Sequence, residues 1–337
     1  MPVTRSLKIS WIVIVLAIPG FSQVPGFDFP NSSRPIPDAH NCYPYEGQWA
    51  NRIDRALASG FPVAIEQDLA WYPAPVPGGG KIVVSHKAET TGEEPTLRDH
   101  FFEKVRPLIE RELKSGDPAR WPLIVLHFDF KDNQPALLHA VWKLLGEYEP
   151  WLATATKTGN PADLTALKMK PILVLTEDND AQEQVFFKDV PKGGMLRLFG
   201  SAHTTGLNTK NRDERSHLAA TLPPQKLLSE KPTTYRRWWN NSWFEVEEGG
   251  APHAGDWTTA DAARLKALVD HAHRLGFWIR FYTLDGFTEG ESQGWDKSYN
   301  FGSRPAAEIR WRAALEAGVN LIASDQYEAL SAVLGKR

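Results

Sequence analysis

Short apolar, β-branched runs recur along this chain, separated by longer stretches of helical period, and that alternation limits the folds open to it. The runs fall at residues 36–40, 62–70, 123–131, 172–177, 195–201, 235–246, 278–285 and 320–325. Between them, residues 49–59, 97–114, 135–148, 260–274, 305–317 and 327–334 carry apolar positions three and four apart, as an amphipathic helix does. Strand–helix alternation builds βαβ units and a parallel sheet. Eight units without a composition break predict one α/β domain, a (β/α)8 barrel over residues 36–337. An open doubly wound sheet is the other arrangement, but no Gly-rich turn of the GxGxxG or Walker type follows any run. Residues 204–233, with much Thr, Asn, Lys and Pro, read as an irregular loop or lid. Gly78, Gly79 and Gly80 read as a hairpin turn before residues 81–87.

The first 22 residues have the pattern of a secretory signal. Arg5 and Lys8 precede an apolar run over residues 9–18, interrupted only by Ser10, and Pro19, Gly20 and Ser22 suit cleavage after Ser22. The run is shorter than the roughly 20 residues a membrane span needs. Residues 23–35, rich in Pro and Ser, read as a flexible leader, and the protein is expected to be secreted or periplasmic. Without Arg5 and Lys8 the mature part has 36 basic against 41 acidic residues, a net charge of −5. That balance, with no basic stripe, argues against a nucleic-acid partner. Cys42 is the only cysteine, so an internal disulfide is excluded and the core must hold the fold. The 13 Trp are expected first as core residues and second as a ligand surface. Asn31 and Asn240 stand in N-x-S sequons.

The chemistry-bearing residues cluster at strand ends. Glu66 and Asp68, two apart on the second run, face one side of a strand, and at the C-terminal end of a barrel strand that side opens into the mouth. Two readings stand for the pair: a divalent cation relieving their repulsion, or solvated acids at a strand end. On the third run His127, Asp129 and Lys131 alternate with apolar residues. Asp129 either completes a three-carboxylate site or pairs with Lys131, which would otherwise hold an anion. His40 ends the first run and His86 follows the second. Each suits proton transfer near neutral pH, and each also suits a surface or structural role. No other histidine shows a metal-ligand spacing such as HExxH. Glu177 and Asp178 end the fourth run. Arg236, Arg237, Trp238, Trp239, Asn240, Asn241 and Trp243 crowd the sixth, suiting either a head-group pocket or barrel packing. Arg280 and Tyr282 alternate inward on the seventh.

The order of these pieces resembles the glycerophosphodiester phosphodiesterase family of the phospholipase-C-like superfamily. His40-Asn41 ends the first strand and a helix follows. Then come Glu66-Gln67-Asp68, Lys81 to His86, Pro95-Thr96-Leu97, and Asp129-Phe130-Lys131, with Gly318-Val319-Asn320 to Ser324-Asp325 at the close. The resemblance spans residues 36–334. It implies that Glu66, Asp68 and Asp129 bind a divalent metal, Mg or Ca by their all-oxygen set, and that His40 and His86 are the acid–base pair. It also implies that Lys131 helps hold the phosphate; Asn41, beside His40, and Trp243, Arg280 and Tyr282, by their residue types and positions, are further candidate substrate contacts. Two positions depart from the pattern: Asn41 stands where the family usually has Arg, and Asp129 where it usually has Glu. His-Asn followed closely by Tyr is similar to a fungal branch annotated by altered inheritance of mitochondria.

The expectation is thus a secreted, metal-dependent phosphodiesterase. Its substrate would be a small-molecule or lipid phosphodiester, leaving room for peripheral membrane contact, and no obligate protein partner is evident. A barrel glycoside hydrolase would instead need a pair of acids and neither metal nor histidine. A binding barrel without catalysis would hold ligand without turnover.

Overall fold

The computed structural model describes residues 34–45, 48–74, 79–288, 290–291 and 297–335. The expected signal segment, the leader up to residue 33 with Asn31, and Gly78 lie outside the described residues. In chain order the elements are β1 (Ile36–Ala39), α1 (Arg52–Ala58), β2 (Val63–Pro73), β3 (Gly80–Val84), α2 (Glu103–Ser115), β4 (Ile124–Phe130), α3 (Pro135–Glu147), β5 (Ala155–Thr156) and β6 (Ile172–Thr176). There follow α4 (Asp180–Glu183), β7 (Met195–Leu196), β8 (Phe199–Ser201), α5 (Arg212–Thr221), α6 (Pro224–Leu227), β9 (Arg236–Ser242), α7 (Thr259–Leu275), β10 (Trp278–Tyr282), α8 (Arg304–Ala317), β11 (Leu321–Ser324) and α9 (Tyr327–Leu334).

Strands β1, β2, β4, β6, β8, β9, β10 and β11 pair in parallel, each with the next. β1 pairs with both β2 and β11, which closes the sheet into a (β/α)8 barrel. β4 and β6 are buried almost throughout, and the unbroken apolar run of β6, from Ile172 to Leu175, follows from having barrel interior on one side and helices on the other. β3 folds back antiparallel on the outer end of β2, with Gly80 opposite Pro73. The helices begin and end on recognisable residues. Thr258 and Asp261 form a capping box at α7, and Gly276 closes it in the left-handed region at φ 97°. Ser303 caps α8, whose first turn holds Pro305.

Three expectations need correction. The run at 195–201 splits, because Met195–Leu196 pairs antiparallel with Ala155–Thr156 outside the barrel and only Phe199–Ser201 joins it. The run at 235–246 stops at Ser242, whose hydroxyl accepts from the Phe244 amide and opens a 3-10 turn over Trp243–Glu245. The supposed irregular loop at 204–233 contains α5 and α6; Asn211 caps α5 by accepting from the amides of Asp213 and Glu214. Among the described residues no helix is long and apolar enough to cross a membrane.

Candidate active site

Parallel pairing of β2 with β4 sets Glu66 beside His127 and Asp68 beside Asp129, and strand alternation turns all four inward. Glu66, Asp68 and Asp129 meet the ends of the neighbouring strands in a pocket of about 280 Å3 at the C-terminal mouth of the barrel, with His127 buried beneath. His40, Asn41, Glu66, Asp68, His86, Asp129, Lys131, Glu177, Asn240, Arg280, Tyr282 and Tyr299 line it. The structure gathers His40, His86, Glu66, Asp68, Asp129, Asn41, Lys131, Arg280 and Tyr282 into one pocket but not Trp243, and of the crowded sixth run only Asn240 reaches it.

One carboxylate oxygen from each of Glu66, Asp68 and Asp129 lies within 4.8 Å of the others. Such a set of hard oxygen donors could hold a divalent cation. The electrostatics fit that use. Burial raises the Asp68 pKa, and the charges of Asp129 and Glu66 raise it further against the opposing pull of His86 and Lys131. Lys131 Nζ lies 2.7 Å from an oxygen of both Asp68 and Asp129. For Lys131, burial works against the ammonium, but the two carboxylates outweigh it and raise its pKa. Burial also opposes ionisation of Glu66, yet His40, Arg280, His127 and Lys131 together hold it well below the usual carboxylate range. Arg280 donates from Nε to Asp38 at 2.5 Å, from Nη1 to Asn240 at 3.0 Å and from Nη2 to Glu66 at 3.4 Å.

The two histidines contact different acids. His40 Nε2 is 3.4 Å from Glu66, and its Nδ1 is 2.8 Å from Asp325 at the end of β11. Burial lowers the His40 pKa, but Glu66, Asp325 and Asp285 outweigh it and push it up to about 9. His86 comes from beyond β3, which carries it back over β2 so that Nδ1 lies 2.9 Å from Asp68. Asn41 follows His40 at φ 49°, a left-handed conformation that Asn tolerates better than most residues. It lines the pocket, but its amide is engaged: Nδ2 donates to Asp325 at 3.1 Å and Oδ1 lies 2.7 Å from the Tyr43 hydroxyl.

Trp243 is a correction. Its ring is buried between Trp257 and Phe281 behind the barrel wall, and Nε1 donates to Glu247 at 2.7 Å. Its neighbours on β9 divide in the same way. Trp239 packs in the outer core and Arg237 donates to the carbonyls of Thr234 and Thr165. Trp238 is buried edge-on to His127. Asn240 faces the pocket and donates to Glu177 at 3.0 Å, so its sequon is an internal amide in this fold.

Sequence reasoning missed several members. Tyr43 touches Asp68, Asn41 and His86 through one hydroxyl. Asp285 accepts from the Asp325 amide at 2.7 Å, and burial together with the charge of Asp325 raises its pKa to about 7. His127, which the alternation on the third run already sets on the same face as Asp129, is buried 2.7 Å from Glu177. The available signals were a Tyr one strand-turn beyond His40 and acids ending two consecutive strands. A second group, Asp180, Glu183 and His203, gathers near the end of β6 although His203 has no ligand spacing in the sequence, and Arg236 already pairs with Glu183 there.

These features define a (β/α)8 barrel with a charged, carboxylate-rich pocket at its mouth. No family model matches the chain, and no curated protein matches it in sequence. Solved structures match it in trace. A glycerophosphoryl diester phosphodiesterase from Parabacteroides distasonis is 11% identical, with 92% of each chain covered and a TM-score of 0.41. The HPPK-DHPS of Plasmodium falciparum is 9% identical, with 90% of this chain and 48% of that chain covered and a TM-score of 0.40.

Proposed function

We propose that this chain is a metal-dependent phosphodiesterase, cleaving a glycerol- or lipid-type phosphodiester. The observation that carries the reading is the contact of His40 with Glu66 and of His86 with Asp68 within one pocket that also holds Lys131 and Arg280. Glu66, Asp68 and Asp129 would hold the cation, Mg or Ca by their oxygen chemistry. When bound, a divalent cation offsets the negative charge of the diester and polarises it. The two histidines handle the protons: one takes a proton from the attacking oxygen and the other gives one to the departing alcohol oxygen as the P–O bond breaks. Lys131 and Arg280 supply fixed positive charge around the phosphate. Tyr43 and Asn41 hold Asp68 and Asp325, and through them the histidines, in place.

The reading includes secretion, supported by Arg5, Lys8 and the apolar run that follows. N-terminal sequencing of exported protein tests it; a chain starting at Met1 would refute cleavage.

The reaction is tested by hydrolysis of bis(p-nitrophenyl) phosphate with EDTA, with added Mg2+ or Ca2+, and in His40→Ala and Glu66→Ala. Turnover that needs metal and collapses in both variants is the expected result. Turnover that survives chelation and both substitutions would overturn the mechanism.

A further inference from the structure

A second cavity, of about 370 Å3, adjoins the catalytic pocket, and Asn240 and Tyr282 line both. Its wall is made by α5 and by the turn that ends β9, segments with no part in the reaction described above. It is a built cavity. The Arg264 guanidinium donates to the carbonyls of Ala219 at 2.8 Å, Leu222 at 2.7 Å and Glu245 at 2.9 Å, which ties α5 to the barrel.

Glu245 lines this cavity, is 8% exposed, and its Oε2 has no hydrogen-bond partner. A buried carboxyl oxygen without a partner is costly unless a ligand supplies one. Burial pushes the Glu245 pKa up to about 8 against the pull of Arg264 and Arg215. Near neutral pH the group can therefore donate to or accept from a hydroxyl, which can do the reverse. Ser216 and Ser242 add hydroxyls to the same wall. Arg212 and Arg215, three apart on α5 and so on one face, also line the cavity. Neither lies within salt-bridge distance of a carboxylate among the described residues, and Arg215 acts on Glu245 only through its charge. Two guanidiniums without a salt-bridge partner, beside hydroxyl-bonding groups, match an anion carried on a polyol. The Tyr282 hydroxyl, in the wall common to both cavities, likewise has no hydrogen-bond partner among the described residues.

We propose that this cavity is the subsite for one ester arm of the diester, and that the arm it selects is a polyol bearing a second anionic group. Hydroxyls of the arm meet Glu245 and the two serines, and the anion meets Arg212 and Arg215. The assignment rests on the phosphodiesterase reading for the position of the phosphate, but the selectivity is read without turnover.

The test is calorimetric binding of myo-inositol 1-phosphate and myo-inositol 1,4-bisphosphate to the full mature chain. The wild type is expected to prefer the bisphosphate by about tenfold or more, and Arg212→Gln/Arg215→Gln to reduce the preference to within about twofold. Both arginines are exposed on α5, so circular dichroism serves as the check on folding. Glu245→Leu is expected to weaken both ligands together. Equal affinities in the wild type, an unchanged preference in the double variant, or no binding of either ligand would overturn the subsite. Vesicles carrying phosphatidylinositol 4-phosphate, compared with its deacylated head group, separate a lipid source from a soluble one, and the Arg-dependent preference is expected in whichever binds. Failure to hydrolyse bis(p-nitrophenyl) phosphate alongside an intact binding preference would remove the reaction and leave the subsite standing.

Discussion

The Tyr43 hydroxyl lies 2.6 Å from Asp68 Oδ2 and reaches the His86 ring at 3.0 Å. Having one proton, it donates to one acceptor at a time, and the Asp68 carboxylate is the strongest acceptor near it. Burial and the charge of Asp68 raise the Tyr43 pKa, which keeps that proton on the ring. Tyr43→Phe is therefore expected to keep the fold and lower kcat on bis(p-nitrophenyl) phosphate about tenfold, ~1.4 kcal/mol in the barrier. An unchanged kcat would show that Asp68 and His86 hold their places without it.

Arg280 and Asp38 are each 1% exposed and are joined across β10 and β1 by the Nε hydrogen bond. Removing one partner leaves a buried charge. Arg280→Met is expected to cost about 3 kcal/mol in urea unfolding. The double variant Arg280→Met/Asp38→Leu should recover part of that loss, because it removes both charges. Additive losses would mean that Arg280 acts through Glu66 instead.

Trp243→Phe tests the correction made above. The indole donates to Glu247, which also holds Arg310 at 2.7 Å, behind the barrel wall. The substitution is expected to lower stability by about 1–2 kcal/mol through the lost indole hydrogen bond and lost buried area, while Arg310 still pairs with Glu247, and KM is expected to be unchanged. A raised KM at unchanged stability would return the ring to the substrate pocket.

The Glu245 carboxyl has a pKa raised from 4.5 to about 8 in the folded chain. The folded state thus binds its proton more tightly than the unfolded chain does. The resulting stabilisation is complete below pH 4.5 and is lost as pH rises through 8. Urea midpoints at pH 5 and pH 8.5 for the wild type and Glu245→Gln isolate this one group. The wild type is expected to lose on the order of 3 kcal/mol more than the variant across that interval. Parallel pH profiles would mean that the carboxyl is solvated.

Much of this architecture is legible in sequence because barrel strands carry a local signature. Residues 172–176 and 278–282 are apolar or alternating runs whose neighbours need not be known, and Glu66 and Asp68 announce a shared face by spacing alone. What could not be read depends on pairing between distant segments. Whether residues 195–201 form one strand depends on Ala155–Thr156, 40 residues earlier by the Ala155–Met195 offset, taking the first part away. Trp243 counted as a pocket candidate because it falls in the crowded sixth run, but the strand stops at Ser242, where a hydroxyl cap turns the chain. Tyr43 and Asp285 escaped notice because neither stands at a telling spacing; each matters through a contact with a residue on another strand.

His40 takes its orientation from Asp325, which lies 285 positions later and only reaches it once β11 is inserted between β10 and β1. A ribosome-bound fragment that already holds Glu66, Asp68, His86 and Asp129 therefore still lacks the group that aligns its first histidine. The orientation of that histidine is thus set by the last strand to join the barrel rather than by its own neighbourhood in the chain.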